Sequence, residues 1–248
     1  MKQNEAVLQT MEQLGGIATL QQLNQEVFKI KECEWKTKTP FASIRRIVQQ
    51  NKEIYKIKPG LYALKSHRKQ LEENGIIVET EKNKESQAIL EFSHSYYQGL
   101  LLSIGNLKGH KTFAPNQDKN RMFVNQKIDD IRTLHDLPIF SYSHFVHRSS
   151  TIDVIWFNER NMPDSFFEIE HSTDITNSLQ KFCDLQDFHT KMYIVADMKR
   201  QSEFMSKYAY ISFNRIRREK RVQFLSYQEL EKQYEQIIAK QKFETLII

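Results

Sequence analysis

Two apolar stretches separated by a polar turn constrain this chain more than any other feature. Thr151-Ile152-Asp153-Val154-Ile155-Trp156-Phe157 is followed by a polar segment, residues 158–164, and then by Ser165-Phe166-Phe167-Glu168-Ile169-Glu170. Runs of β-branched and aromatic residues bounded by turn residues read as strands. The segment therefore predicts an antiparallel hairpin centred between Arg160 and Asn161. Residues equidistant from that centre pair, which sets Phe157 against Asp164, Ile155 against Phe166 and Asp153 against Glu168. Paired residues project to one face with Cβ atoms roughly 5 Å apart, and Glu170, two residues on, shares that face. Three carboxylates then converge from strands that are otherwise apolar.

Like charges gathered in a partly buried site repel, and nothing nearby in sequence neutralises them. A divalent cation does. Mg²⁺, with Mn²⁺ as a substitute, suits oxygen ligands and makes bound water a better nucleophile towards phosphorus. Asp153, Glu168 and Glu170 are the expected metal-site acids, with the backbone carbonyl of Ile169 as a further candidate ligand. Spacing alone leaves a second arrangement open, in which one or more of the acids faces solvent at a strand edge.

The N-terminal part reads as three helices and a hairpin. Ala6, Val7, Met11 and Leu14 give the first helix an apolar stripe that Gly15-Gly16 ends; Thr19 caps a second carrying Leu20, Leu23, Val27 and Phe28. Thr39 as N-cap and Pro40 at the first turn open a third, with Phe41, Ile44, Ile47 and Val48 inward and Ser43, Arg45, Arg46 and Gln49 outward. Ile54-Tyr55-Lys56-Ile57 and Leu61-Tyr62-Ala63-Leu64 flank Lys58-Pro59-Gly60 as a strand–turn–strand. That is the plan of a winged helix, whose third helix enters the major groove. The expected domains are 1–68, a winged-helix DNA-binding domain; 69–85, a polar linker; and 86–248, a catalytic domain. In the last, a long helix (86–107), the hairpin, a helix (175–189), a buried strand (192–196), a further strand (222–225) and a helix opened by Ser226-Tyr227-Gln228-Glu229 alternate as in α/β proteins.

Ile152-Asp153 followed by Phe167-Glu168-Ile169-Glu170 resembles the active-site pattern of the PD-(D/E)XK nuclease superfamily, to which many type II restriction endonucleases belong. Glu170-His171-Ser172-Thr173-Asp174 is similar to the continuation seen in Glu-x-Glu variants, and the likeness covers roughly residues 90–230. It implies a mixed-sheet restriction-endonuclease-like α/β core, a nuclease activity, metal-binding roles for Asp153 and Glu168, and Glu170 at the position where most members carry Lys. Some relatives have a Glu in the first helix, near where this chain has Ser103.

If Glu170 replaces that Lys, a cation has to come from elsewhere. Lys181, on the helix after the acids, is the nearest candidate, with a solvated helix lysine as the alternative. His171 should face away from the acids, packed or capping. The formal charge of +5 and pI near 9.0 lean towards an anionic partner. Ser43, Arg45 and Arg46 on the third helix and Lys38 in the loop before it are expected DNA contacts, Lys56 and Lys58 the expected phosphate contacts of a wing. Arg217 and Arg218, in the cluster 215–221, either grip the backbone or are simply solvated. Two cysteines in different domains, no apolar leader and no membrane-length run suggest a reducing, cytoplasmic setting with no membrane partner. The expectation is a Mg²⁺-dependent endodeoxyribonuclease acting on double-stranded DNA as a homodimer, with no small-molecule cofactor. A winged-helix regulator with a dimerisation domain, and a structure- or RNA-directed nuclease, are the competing readings.

Overall fold

A computed structural model of the chain describes residues 1–58, 60–73, 76, 78 and 86–245, with side chains as far as Ile238. Pro59 of the expected wing turn and most of the expected linker (74–75, 77 and 79–85) lie outside the described residues. The elements in chain order are α1 (Gln3–Gln13), β1 (Ile17–Thr19), α2 (Leu20–Glu26), α3 (Pro40–Gln50), β2 (Ile54–Lys58), β3 (Leu61–Leu64), α4 (Arg68–Glu73) and α5 (Gln87–Leu107). There follow β4 (Lys111–Phe113), β5 (Met122–Phe123), β6 (Gln126–Lys127), α6 (Ile128–Ile131), α7 (Ser143–Ser149), β7 (Val154–Phe157), β8 (Pro163–Glu170) and α8 (Ile175–Asp184). The chain then forms β9 (Lys191–Ala196), α9 (Gln201–Tyr208), α10 (Asn214–Arg218), β10 (Val222–Ser226) and α11 (Tyr227–Thr245). No helix is long and apolar enough to cross a membrane among the described residues. Cys33 and Cys183 are both unpaired.

The chain divides into two compact units, Met1–Phe92 with Gln233–Ile248, and Ser93–Lys232. The division thus falls inside α5 and α11, whereas the sequence places the whole of 233–248 in the catalytic part. In the first unit, β1, which the sequence does not signal, joins the hairpin to give the order β1-β3-β2. Val7, Met11, Leu23, Ile44, Val48 and Leu64 close its core. Gly15 and Gly16 end α1 at φ +83° and +81°, a left-handed conformation that glycine adopts without steric cost. Thr19 caps α2 in a reciprocal box with Gln22. Thr39 stands at the N-cap of α3 but its side chain makes no capping bond, so Pro40 alone marks that start.

The second unit is built on a five-stranded mixed sheet, β10-β9-β8-β7-β4. β8 and β10 run parallel to β9, while β7 is antiparallel to both β8 and β4. Ile155, Phe157, Phe166, Leu179, Phe182, Ile194 and Phe204 form its apolar core. Helix α5 lies tight against β7. Trp156 Nε1 donates to the Leu101 carbonyl at 3.0 Å, and a Cβ on Gly105 would fall 2.6 Å from that same nitrogen. Gly105 is therefore a close-approach residue inside the helix.

The hairpin registers Ile155 opposite Phe166 and Val154 opposite Phe167, as the symmetry of the sequence predicts. Phe157 differs: it pairs with Pro163, across a bulge, in place of Asp164. The turn closes early because Asn158 N bonds to Met162 O and Asn161 takes a left-handed φ of +59°.

Candidate active site

The register carries Asp153 and Glu168 onto the same end of the hairpin, where each reaches the other's backbone. Glu168 Oε1 accepts from Asp153 N at 3.4 Å, and Asp153 Oδ2 accepts from Ile169 N at 2.7 Å. The contact brings in Ile169 through its amide, which fixes the Asp153 carboxylate against the strand. Glu168 is buried to 2% exposure. Burial and the Asp153 charge push its carboxyl up to about 8, against the opposing pull of Lys181 and Ser178.

Helix α8 supplies the next two groups. Asp174 caps it by accepting from Thr176 N at 2.9 Å. Ser178 and Lys181 then sit three residues apart, on one helical face. Lys181 Nζ lies 2.8 Å from both Glu168 Oε2 and the Thr151 carbonyl, so it is a partner of the acids and not a solvated lysine. Ser178 Oγ donates to Glu168 Oε2 at 2.9 Å and also to Glu170 Oε1. Glu170 Oε2 accepts from Thr173 Oγ1, and Arg200 Nη1 stands 3.8 Å from that oxygen. Both Glu170 oxygens are therefore engaged by protein donors.

Ser103 does not take part; its hydroxyl returns to the Gly99 carbonyl at 2.8 Å. Helix α5 instead presents His94 and Gln98, one turn apart. His94 Nε2 is 3.8 Å from Asp153 Oδ1. Gln98, fully buried, donates through Nε2 to the Asp153 carbonyl at 2.9 Å and to Asp118 Oδ2 at 3.0 Å. His171 has its Nδ1 2.7 Å from the Tyr227 hydroxyl, which donates to the Glu170 carbonyl at 3.1 Å, and its ring lies 6.1 Å from that of His94.

Among the described residues, no three His, Cys, Asp or Glu side chains are gathered so as to hold a metal ion by themselves. Asp153 and Glu168 are two carboxylates that each accept from the other's strand backbone. A pair of carboxylates is the usual protein share of a Mg²⁺ site, the rest being water and phosphate.

The profile of the type II restriction enzyme NmeDI C-terminal domain family matches residues 76–247. The chain belongs to that family. The type II restriction enzyme NmeDI of Neisseria meningitidis serogroup C is 27% identical over 113 residues, which is 42% of this chain and 32% of that enzyme. The matched part is thus about a third of the enzyme's length. No solved structure matches the chain. Every acid of the site, with His94, Gln98, Ser178, Lys181 and Arg200, falls within the stretch that the NmeDI C-terminal domain family covers, whereas α3 and its arginines precede it.

The expected nucleic-acid contacts separate into exposed and engaged groups. Lys38, Arg46 and Lys56 are exposed and Ser43 is half-buried. Arg45 is exposed but ion-paired with Glu235. Lys58 is a correction: it is buried, with Nζ 5.9 Å above the Phe92 ring, because a bulge between Lys56 and Lys58 turns both Ile57 and Lys58 inward. In the cluster 215–221, Arg217 binds the Tyr208 carbonyl at 3.0 Å and Asn214 Oδ1 at 3.2 Å. Arg221 binds the carbonyls of Thr190, Gln186 and Phe188, and Arg215 pairs with Asp187 and Glu219. Only Arg218 and Lys220 of that cluster are exposed without such a partner among the described residues.

Proposed function

We propose that this chain is a Mg²⁺-dependent endodeoxyribonuclease of restriction-enzyme type, hydrolysing phosphodiester bonds in double-stranded DNA. The observation that carries the reading is the Asp153–Glu168 pair at the end of β7 and β8 with Lys181 at 2.8 Å. A buried carboxyl whose proton is held up to about 8 beside a second acid is a poor structural element. It is a good half-site for a cation. In this reading the core is of the PD-(D/E)XK kind, and Asp153, Glu168 and the Ile169 carbonyl hold Mg²⁺, with Mn²⁺ able to substitute. When bound, the ion supplies Lewis-acid polarisation and a more acidic water.

The chain's own residues do the rest. Glu170, set by Ser178 and Thr173, orients the attacking water and takes up its proton. Lys181 holds Glu168 Oε2 and places positive charge where negative charge develops in the transition state. Gln98 and the Ile169 amide fix the backbone and carboxylate of Asp153. The first unit is a winged helix: its three helices and the β1-β3-β2 sheet have that order, and α3 would enter the major groove with Ser43, Arg45 and Arg46, Lys38 and Lys56 meeting phosphate. Cutting both strands calls for two sites, hence a homodimer on DNA.

The test is incubation of the purified chain with plasmid, phage DNA and structured RNA, in Mg²⁺ and in chelator, followed by sequencing of fragment ends. Discrete DNA ends that need the metal and vanish in Asp153→Asn support the reading. Cleavage of RNA alone redirects it to the other backbone; no metal-dependent cleavage of either overturns it.

A further inference from the structure

One donor buried around the acids is unspent. Arg200 ends a short 3-10 turn, Met198–Arg200, and sits at the N-cap of α9. Its Nε and Nη2 donate to the Glu203 carboxylate at 2.9 and 3.0 Å, and Nη2 also donates to the Thr173 carbonyl at 2.6 Å. Those bonds fix the guanidinium plane, and so the direction of its remaining nitrogen. Nη1 is buried and has no hydrogen-bond partner among the described residues, yet it lies 3.8 Å from Glu170 Oε2. A buried charged donor without an acceptor is costly, and here the nearest acid is the third one of the site.

The charges around the site support the same assignment. Asp153, Glu168 and Glu170 are three acids; Lys181 stands on Glu168 and Arg200 faces Glu170, while Asp153 has, among the described residues, only His94 at 3.8 Å. Each buried glutamate thus has its own cation, drawn from a different element. Ser178 and Thr173 are neutral donors and offset none of the Glu170 charge. Arg200 also ties Glu170 to the loop behind it, since Thr173 contributes its carbonyl to the guanidinium and its hydroxyl to Glu170.

We propose that Arg200 is the positioning residue for Glu170, holding its carboxylate in the orientation the reaction uses. The functional half of this inference rests on the nuclease reading; the link between the two side chains does not. A stability cycle in chelator tests the link: wild type, Arg200→Met, Glu170→Gln and the double variant, unfolded in urea. Arg200→Met should lower the midpoint, and adding Glu170→Gln should recover part of it, a coupling of about tenfold in the unfolding constant. Additive effects overturn the link, since a role confined to Glu203 would give additivity.

Single-turnover cleavage tests the consequence. Arg200→Met should slow the step about a hundredfold with DNA affinity unchanged, and Arg200→Lys, which keeps the charge, should recover part of the rate. An unchanged rate, or a loss confined to affinity, overturns the positioning role. A wild-type chain that cuts nothing overturns the nuclease reading and the catalytic half with it, while the stability cycle separately decides whether Arg200 holds Glu170.

Discussion

Glu168→Gln in metal-free protein gives a measurable pH signature. In the unfolded chain this carboxyl ionises near 4.5; in the folded site burial and Asp153 keep its proton on up to about 8. Between those values the folded state binds the extra proton, so folding stability is full below about 4.5 and falls as pH rises, levelling off above about 8. At about 1.4 kcal/mol per pH unit, the loss across that window approaches roughly 5 kcal/mol. That is a large share of the ~5–15 kcal/mol that stabilises a typical domain. The replacement carries no ionisable group, so the slope should flatten, although Lys181 then loses its charged partner, keeping an amide oxygen at best beside the Thr151 carbonyl, and absolute stability need not rise.

Trp156 is buried on β7 in the same unit as the site, and the other tryptophan, Trp35, lies in the first unit. In a Trp35→Phe background, fluorescence followed in urea at several pH values therefore reports on the site's own unit. Mg²⁺ added back should stabilise more at pH 8 than at pH 5, because a cation needs the ionised carboxylates. A flat wild-type profile in chelator from pH 5 to 8, or an equal slope in Glu168→Gln, would refute the reasoning.

Asp153→Asn and Glu168→Gln should each abolish Mg²⁺-dependent cleavage in a gel assay while circular dichroism stays native; metal-free DNA affinity at neutral pH should hold or rise for Asp153→Asn, which loses a negative charge, and hold for Glu168→Gln, whose carboxyl keeps its proton up to about 8. Neutralising Arg46 and Lys56 should weaken DNA binding, with the log–log salt slope falling by about one per lost phosphate contact; Glu235→Gln, which releases Arg45, should strengthen binding a few-fold by filter titration. Lys58→Met and Arg217→Ala should leave that salt slope unchanged, and Arg217→Ala should lower stability by about 1–3 kcal/mol in urea unfolding, because its partners are buried or helix-end acceptors.

What the sequence disclosed and what it hid follow from the range of each interaction. The alternation through residues 152–170 places Ile155 opposite Phe166 and both glutamates on one face, since period two and hairpin symmetry are local rules. The same rules fail at Phe157, where Asn161 closes the turn early, and at Lys58, where a bulge breaks the alternation. His94 and Gln98 lie more than fifty residues before Asp153 on a helix whose polar positions look like a solvated face. Only the packing of Trp156 against Leu101 and Gly105 brings them over the acids. Arg200 was equally hidden: it follows β9, and the parallel pairing of Glu170 with Ala196 is what brings the end of that strand beside the third acid. Arg217 and Arg221 read as an electropositive patch because their acceptors are main-chain carbonyls, which no composition records.

The distribution of these cations bears on how such a chain could bind DNA and still tolerate three acids at its centre. Lys181 and Arg200 are committed to Glu168 and Glu170, and Arg215, Arg217 and Arg221 to acids or carbonyls of their own unit. Exposed residues such as Lys38, Arg46, Lys56 and Arg218 therefore contribute to the surplus of +5. Long-range attraction depends on exposed charge and is screened by salt, whereas the buried pairs are screened far less. Affinity should then vary steeply with ionic strength while the geometry of the acids does not.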